Sequence, residues 1–110
     1  MGESIRNKPI TVMVTCPDEE TATKIARSLT VKRLAACVNI TPKIKSIYRW
    51  EGKIEEADEH LLIIKSKRRL LKKIIEDVKA NHPYKIPEVI SLQIVGGSKD
   101  YIDWIIKETS

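Results

Sequence analysis

The alternation of strand and helix patterns along the 110 residues predicts one α+β domain. Two helical patterns lie between runs of β-branched residues, and a long hairpin pattern occupies the middle of the chain. The length is close to the commonest domain size, and 42% hydrophobic with 32% charged residues suits a globular core. We therefore assign residues 9–110 to a single domain and residues 1–8 to a flexible polar lead.

The first strand and the first helix are predicted from the pattern of apolar residues. Residues 9–15 alternate and are rich in β-branched side chains, which predicts a strand. Pro17 suits the first turn of a helix, and the acidic residues after it suit the positive end of the helix dipole. We expect a helix over residues 17–33. Its apolar positions are Ala22, Ile25, Ala26 and Leu29.

A long hairpin follows the first helix. Residues 35–50 form one continuous strand pattern, in which Pro42 requires an edge or a bulge because proline cannot donate to a ladder. Glu51 and Gly52 supply a tight turn, and residues 53–66 return. Each strand has about 14 residues and is expected to reach about 45 Å. Two helices of ordinary length cannot cover such a ribbon.

The remaining elements complete the order βαββαβ with a terminal helix. Ser66 is a candidate N-cap for the second helix, which is predicted to end at His82. Residues 87–95 are predicted as the fourth strand, and Ser98 as the cap of the last helix. This order is typical of the ferredoxin-like fold, in which helices cover one face of an antiparallel sheet.

The distal part of the hairpin carries apolar side chains that a monomer would bury poorly. An isolated two-stranded ribbon is only marginally stable in water. We therefore expect the ribbon to pack against copies of itself in a closed symmetric oligomer, and a free hairpin arm is the alternative. The apolar residues are Ile44, Ile47, Tyr48, Trp50 and Ile54.

Charge and motif content exclude several classes of function. The formal net charge is +5, and six basic residues lie within residues 65–73. The leucines of this stretch share one helical face, so the bases are predicted to form its solvent side. The chain has no phenylalanine for base stacking, no Walker loop, no Gly-x-Ser-x-Gly and no His-Glu-x-x-His. We predict neither nucleic-acid binding nor catalysis.

Hydropathy and cysteine content indicate the compartment. No stretch approaches 18 apolar residues, so neither a membrane span nor a membrane partner is predicted. The polar start lacks the apolar core of a signal peptide, and two cysteines are too few for a disulfide framework. We expect a cytoplasmic protein. The abundance of isoleucine and lysine, with a single glutamine, also favours a thermostable one.

Four motifs in one register resemble the CutA divalent-cation tolerance proteins. They are Ala35-Ala36-Cys37-Val38-Asn39, Ile47-Tyr48-Arg49-Trp50-Glu51-Gly52-Lys53, His82-Pro83-Tyr84-Lys85-Ile86-Pro87-Glu88 and Tyr101-Ile102-Asp103-Trp104. The resemblance covers about residues 9 to 107. It implies a cytoplasmic homotrimer, similar in fold and assembly to PII-like signalling proteins, whose long hairpins pack at the interfaces and which is linked to copper and other divalent cations.

The resemblance also implies a candidate metal site. Some family members are associated with a cysteine near the end of the first strand and two histidines before Pro-Tyr. In this chain Val14 and Asn81 stand at two of these places, so only His82 and the nearby Cys16 remain as candidate ligands. Thiolate and imidazole suit Cu²⁺ or another divalent cation. A structural capping role for His82 is the alternative.

Seven residues match recurring family positions and are predicted to line a cleft between subunits. Aromatic rings, one lysine and carboxylates in a cleft suit a small anionic ligand. The alternative is that these residues only fix the interface and the turn after the second helix. The seven are Tyr48, Trp50, Glu56, Lys65, Tyr84, Pro87 and Glu88.

Two further features have both a metal-binding and a structural interpretation. Glu56, Asp58 and His60 share one strand face and could hold a cation, although an ion-paired acidic strand is the commoner arrangement. Cys37 lies in a core-like stretch and is interpreted as a small hydrophobic residue. The sequence thus predicts a metal-linked or ligand-sensing trimer. The alternative is a structural trimeric scaffold that presents surfaces to a partner protein and has no physiological metal site.

Overall fold

The computed structural model describes residue 5 and residues 7–110, and it confirms the predicted α+β fold. Of the predicted lead, residues 1–4 and 6 lie outside the described part. In chain order the elements are β1 (Pro9–Cys16), α1 (Glu19–Val31), β2 (Cys37–Ile40), β3 (Ile44–Trp50), β4 (Lys53–Lys67), a 3₁₀ turn (Arg68–Leu70), α2 (Leu71–Asn81), β5 (Ile90–Gln93) and α3 (Lys99–Glu108).

The strands form an antiparallel sheet organised around β4, the longest strand. The order is β2-β4-β1-β5, and β3 pairs with the first part of β4. The hairpin of residues 44–59 is called the ribbon below. Residues 62–65 of β4 pair with β2, whereas residues 53–59 pair with β3. The molecule measures 44 × 26 × 25 Å, so it is clearly elongated.

Strand alternation gives the sheet a covered face and a more open face. Helices α1 and α2 pack on the covered face, where every second residue of β1 is buried. Met13 and Ile63, on the opposite face, are only partly buried. The buried hydrophobic residues that β1 and β4 contribute to the covered face are Ile10, Val12, Val14, Cys16, Leu62 and Ile64. None of the described helices has the length and apolar character needed to cross a membrane.

The long strand predicted over residues 35–50 is divided into β2 and β3. Pro42 lies between them and has no N–H for the ladder. Thr41 makes the connection instead, because its N–H donates to the Leu61 oxygen and its Oγ1 accepts from the Leu61 N–H, both at 2.9 Å. The return strand, β4, is continuous and pairs with both β2 and β3.

Of the two predicted serine caps, Ser98 is confirmed by its position and Ser66 is wrong. Ser66 belongs to β4 and is fully buried, and its hydroxyl donates to the Leu34 oxygen at 2.6 Å. Helix α2 is instead preceded by a 3₁₀ turn and has no side-chain cap at Leu70. Ser98 does stand at the start of α3, but only its backbone oxygen accepts a bond, from the Ile102 N–H at 3.0 Å.

Two element boundaries are also corrected. Helix α1 begins at Glu19, because Asp18 is its N-cap and accepts from the Thr21 N–H at 2.7 Å, so Pro17 precedes the helix. The last strand covers only Ile90–Gln93 rather than residues 87–95, since β1 pairs with it only over Ile10 to Met13.

A buried lysine secures the last helix. The Nζ of Lys67 donates to the backbone oxygens of Ile106 at 3.2 Å and Thr109 at 2.9 Å. The last carbonyls of a helix have no intrahelical donors, and Lys67 satisfies two oxygens at the end of α3. Burial, followed by the positive charges of Arg69 and Arg33, lowers the pKa of Lys67. This contact ties α3 to the end of β4.

Candidate functional site

The turn of the ribbon determines which side chains share a face. Glu51 and Gly52 have φ values of 48° and 79°, the left-handed pair expected of a two-residue type I′ turn. Trp50 therefore pairs with Lys53, and the register continues to Ile44 opposite Glu59. Residues two apart along a strand point to the same side. Tyr48 and Trp50 therefore share one ribbon face with Glu59, whereas Ile47 and Glu56 lie on the other.

The ribbon face that carries Tyr48, Trp50 and Glu59 forms one wall of a cleft of about 590 Å³. The opposite wall comes from the segment that follows α2, and the end of β1 closes the cleft. A cleft of this size lies within the range of small-molecule sites. Its lining residues are Thr15, Ser46, Ile47, Tyr48, Trp50, Glu59, Tyr84, Lys85, Ile86 and Glu88.

His82 positions the second wall of the cleft. Its Nε2–H donates to the Thr15 oxygen at 2.8 Å, and its Nδ1 accepts the Tyr84 N–H at 3.2 Å, with the proton assigned from these partners. The rings of His82 and Tyr84 lie 4.8 Å apart between centroids. The imidazole thus joins the end of β1 to the segment after α2 and places Tyr84 in the cleft.

The cleft contains a buried carboxylate group. Glu59 is only 6% exposed, and the Tyr84 hydroxyl donates to its Oε2 at 3.3 Å. Burial, and then the charge of Glu59, raises the pKa of Tyr84 to about 12, so this hydroxyl remains a donor at neutral pH. Burial and then the charge of Glu59 also raise the pKa of Glu88. Burial and the charge of Glu59 therefore both disfavour a second ionised carboxylate in the cleft.

Four of the seven predicted cleft residues come together here: Tyr48, Trp50, Tyr84 and Glu88. Glu56 lies on the opposite ribbon face, 3.8 Å from the Lys45 amino group. The Lys65 side chain, on the open face of the sheet, hydrogen-bonds to Asn39. Pro87 is buried next to Glu88 and does not line the cleft.

The sequence analysis did not predict the other residues that line the cleft, which are Thr15, Ser46, Ile47, Glu59, Lys85 and Ile86. Glu59 is the most informative of them, because its carboxylate is buried. The turn register was the signal that could have found it. Once Trp50 is placed opposite Lys53, strand alternation puts Tyr48 on the same face as Glu59 rather than Glu56.

The candidate metal ligands Cys16 and His82 do not fit a metal ion in this arrangement. Both ring nitrogens of His82 are engaged in hydrogen bonds, so neither presents a free lone pair. Cys16 is fully buried, and burial, then Asp18 and Glu59, raises the pKa of its thiol to about 12. Metals bind the thiolate form. Among residue 5 and residues 7–110, no three His, Cys, Asp or Glu side chains form a metal-binding group.

Iodoacetamide is expected to leave Cys16 unmodified in the folded protein at about pH 8.5, near the ordinary pKa of cysteine. The thiol is buried and its raised pKa leaves very little of the reactive thiolate. Mass spectrometry of the digested protein measures the labelling, and protein unfolded in guanidinium should be labelled at Cys16 as a control. Rapid labelling of Cys16 in the folded state would contradict this and restore it as a candidate ligand.

The acidic segment of β4 is ion-paired. The Lys43 amino group lies 3.8 Å from the Asp58 carboxylate, matching the distance between Lys45 and Glu56. His60 faces a backbone oxygen, with Nδ1 2.9 Å from the Thr41 oxygen. These contacts support the structural interpretation of this strand rather than a cation clamp.

Comparisons with known sequences reveal similar proteins. The family described as CutA1 divalent ion tolerance protein matches residues 10–108. The chain is 49% identical over 110 residues to chloroplastic protein CutA of Arabidopsis thaliana, which covers 99% of this chain and 60% of that protein. It is 47% identical over 98 residues to the divalent-cation tolerance protein CutA of Thermus thermophilus, covering 89% and 95%. The chain thus spans less than two thirds of the plant protein.

Solved structures agree with the sequence comparison. The Thermus thermophilus divalent cation tolerance protein has a TM-score of 0.91 at 45% identity, covering 93% of this chain and 99% of that chain. CutA1 from Oryza sativa has a TM-score of 0.91 at 48% identity, with 94% of both chains covered. The Archaeoglobus fulgidus protein, described as periplasmic, has a TM-score of 0.88 at 40% identity over 91% and 97% of the chains.

Proposed function

Because the chain belongs to the CutA1 divalent ion tolerance family, we propose that it is a homotrimeric, non-enzymatic binding protein that receives a cation in the cleft between the ribbon and the segment after α2. One observation carries the proposal. Glu59 is buried in the cleft, and no lysine, arginine or histidine nitrogen of the described residues lies within 4.0 Å of its carboxylate. A buried carboxylate without a positive partner is costly, and a bound cation removes that cost.

The sign of the ligand follows from the charges that line the cleft. Glu59 and Glu88 outnumber the one lysine, Lys85. The lysine that suggested an anionic ligand, Lys65, lies outside this cleft. The family name directs attention to divalent cations, and carboxylate oxygens suit hard ions such as Mg²⁺ better than they suit copper. We therefore prefer a cation to the small anion predicted from sequence.

Self-association is supported by exposed apolar side chains on the ribbon and on β5. Ile47 and Ile54 on the ribbon are more than half exposed, as are Ile90 and Leu92 on the open face beside β1. Exposed apolar side chains of this size, grouped in two regions, are typical of protein–protein interfaces. A closed assembly of three copies would bury both regions and protect the edge strand.

The cytoplasm is part of the proposal as well. Cys16 and Cys37 are both free thiols. Free thiols fit a reducing compartment, where disulfides rarely persist. A protein that encounters cations there acts in their cellular handling rather than in their extracellular capture.

Calorimetric titration with Mg²⁺ and with Cu²⁺ tests the cation site. We expect the Glu59→Gln variant to bind at least about tenfold more weakly than the unmodified protein, because a charged ligand is replaced by a neutral amide of the same shape. Glu56→Gln is the matched control, since this glutamate lies on the opposite ribbon face. Cys16→Ser is the control for the thiol site. Both controls should retain the original affinity.

The alternative function is a trimeric scaffold that presents surfaces to a partner protein and holds no metal. The poor fit of Cys16 and His82 to a metal ion favours this candidate. The same titration separates the two functions. Equal binding by Glu59→Gln would exclude the cleft as the cation site, and the absence of heat with either ion would leave the scaffold.

A further inference from the structure

The cleft has an aromatic and apolar wall that a small metal ion does not require. Tyr48 and Trp50 contribute rings from the ribbon, and Tyr84 contributes a ring from the opposite wall. Ile86 adds aliphatic surface and is 67% exposed in the single chain. Aromatic faces attract cations through their quadrupole, most strongly when the cation is an organic ammonium or guanidinium group. Aliphatic surface gains free energy only by contact with a carbon skeleton.

The volume of the cleft also favours a small organic cation over a metal ion. About 590 Å³ is the size of sites that enclose small organic molecules, whereas a coordinated metal ion needs only its immediate shell of oxygens. Within the described part of the chain, residue 5 and residues 7–110, no three His, Cys, Asp or Glu side chains are grouped so that they could hold a metal ion. Two walls, one aromatic and one mixed, leave room for a molecule with both a charged end and an apolar body.

The Glu59 carboxylate marks the place in the cleft where the positively charged end of such a molecule would bind. Glu59 lies nearly completely buried in the cleft, and its described hydrogen-bond partner is the Tyr84 hydroxyl. That hydroxyl occupies Oε2, which leaves Oε1 available to a donor in the cleft. Glu88 adds a second carboxylate to the same lining. An ammonium group has three N–H donors and no acceptor, so it complements carboxylate oxygens.

We propose that the cleft binds a small organic ammonium ion, with its nitrogen between the Glu59 and Glu88 carboxylates and the aromatic rings, and its carbon skeleton against Ile86. This inference rests on the proposed function, in which the cleft receives a cation, and it names the class of that cation. Lys85 also lines the cleft and restricts the ligand further, because its positive charge disfavours a dication and favours a monocation or a molecule that also carries an anionic group.

Benzylammonium and benzyl alcohol form a matched pair of probes, because they share the ring and differ in the charged nitrogen. The Trp104→Phe variant leaves Trp50 as the only tryptophan, so its fluorescence reports binding in the cleft. We expect a saturable change with benzylammonium and an affinity at least about tenfold higher than for benzyl alcohol, since charge-assisted hydrogen bonds and cation–π contact act on the first probe alone.

Variants test the two recognition elements separately, with calorimetry as the readout. Glu59→Gln should weaken benzylammonium binding about tenfold and leave benzyl alcohol binding unchanged. Trp50→Leu should weaken benzylammonium binding severalfold while keeping an apolar side chain in place. Glu56→Gln is the control with an exposed carboxylate on the opposite ribbon face, and it should bind both probes as the unmodified protein does.

The outcomes distinguish this inference from the function on which it rests. If Mg²⁺ or Cu²⁺ binds through Glu59 while benzylammonium binds no better than benzyl alcohol, the organic ligand class is wrong and the cation site remains. If neither metal nor ammonium binds, both proposals are wrong. Because the comparison of the two probes uses the native Glu59, it remains decisive even where a variant fails to fold.

Discussion

Replacing Ile47 and Ile54 together by lysine is expected to convert the proposed trimer into a 12.6 kDa monomer at micromolar concentration. These side chains are 64% and 60% exposed in the single chain and lie on the ribbon face opposite to that of Tyr48 and Trp50. Burying each isoleucine side chain at an interface stabilises the assembly by about 1.5–3 kcal/mol. A lysine in its place removes this free energy and adds the cost of burying an unpaired ammonium group. Light scattering on material from size-exclusion chromatography measures the mass.

The matched control is Val31→Lys. Val31 is 82% exposed at the end of α1, outside the ribbon, so a lysine there should leave the mass unchanged. Circular dichroism should show an intact subunit in both variants, because neither site belongs to the core. A double variant that keeps the unmodified mass would exclude the ribbon as the interface. Unmodified protein at 12.6 kDa would show that the homotrimer proposal is wrong.

The ribbon also shows how far local sequence patterns determine this fold. The two-residue turn at Glu51 and Gly52 was predictable, because its left-handed backbone matches the twist of the flanking strands. Alternation then assigns the two faces of β3 and β4. The division of the first long strand was only partly predictable. Pro42 indicated an interruption, but the bonds of Thr41 to Leu61 that bridge it depend on tertiary pairing.

Misplaced polar residues had a common physical cause. Ser66 was predicted as a helix cap from its residue type, yet the Leu34 oxygen provides a non-local acceptor that keeps it in the strand. Lys67 likewise resembles an exposed base in sequence, but its buried amino group donates hydrogen bonds to two backbone oxygens near the end of α3. Side-chain partners that are far apart in sequence override local preference, and no single-sequence pattern contains them.

The candidate site was predictable to a similar extent. Family positions supplied Tyr48, Trp50, Tyr84 and Glu88, and the hairpin register could have supplied Glu59. The position of the second wall depends on the bond from His82 to the Thr15 oxygen. That contact joins residues 67 positions apart, so the depth and acidity of the cleft became visible only in three dimensions.

Replacing Ile64 by alanine is expected to lower the free energy of unfolding by about 2–5 kcal/mol per subunit. Ile64 is fully buried between its strand neighbours Val12 and Val38, in a core without phenylalanine. Close packing of branched aliphatic side chains leaves a cavity when one is truncated. Urea denaturation at one protein concentration measures the change, and Val31→Ala, at an exposed site, should shift stability by less than about 0.5 kcal/mol. Equal effects at both positions would contradict the assignment of this core.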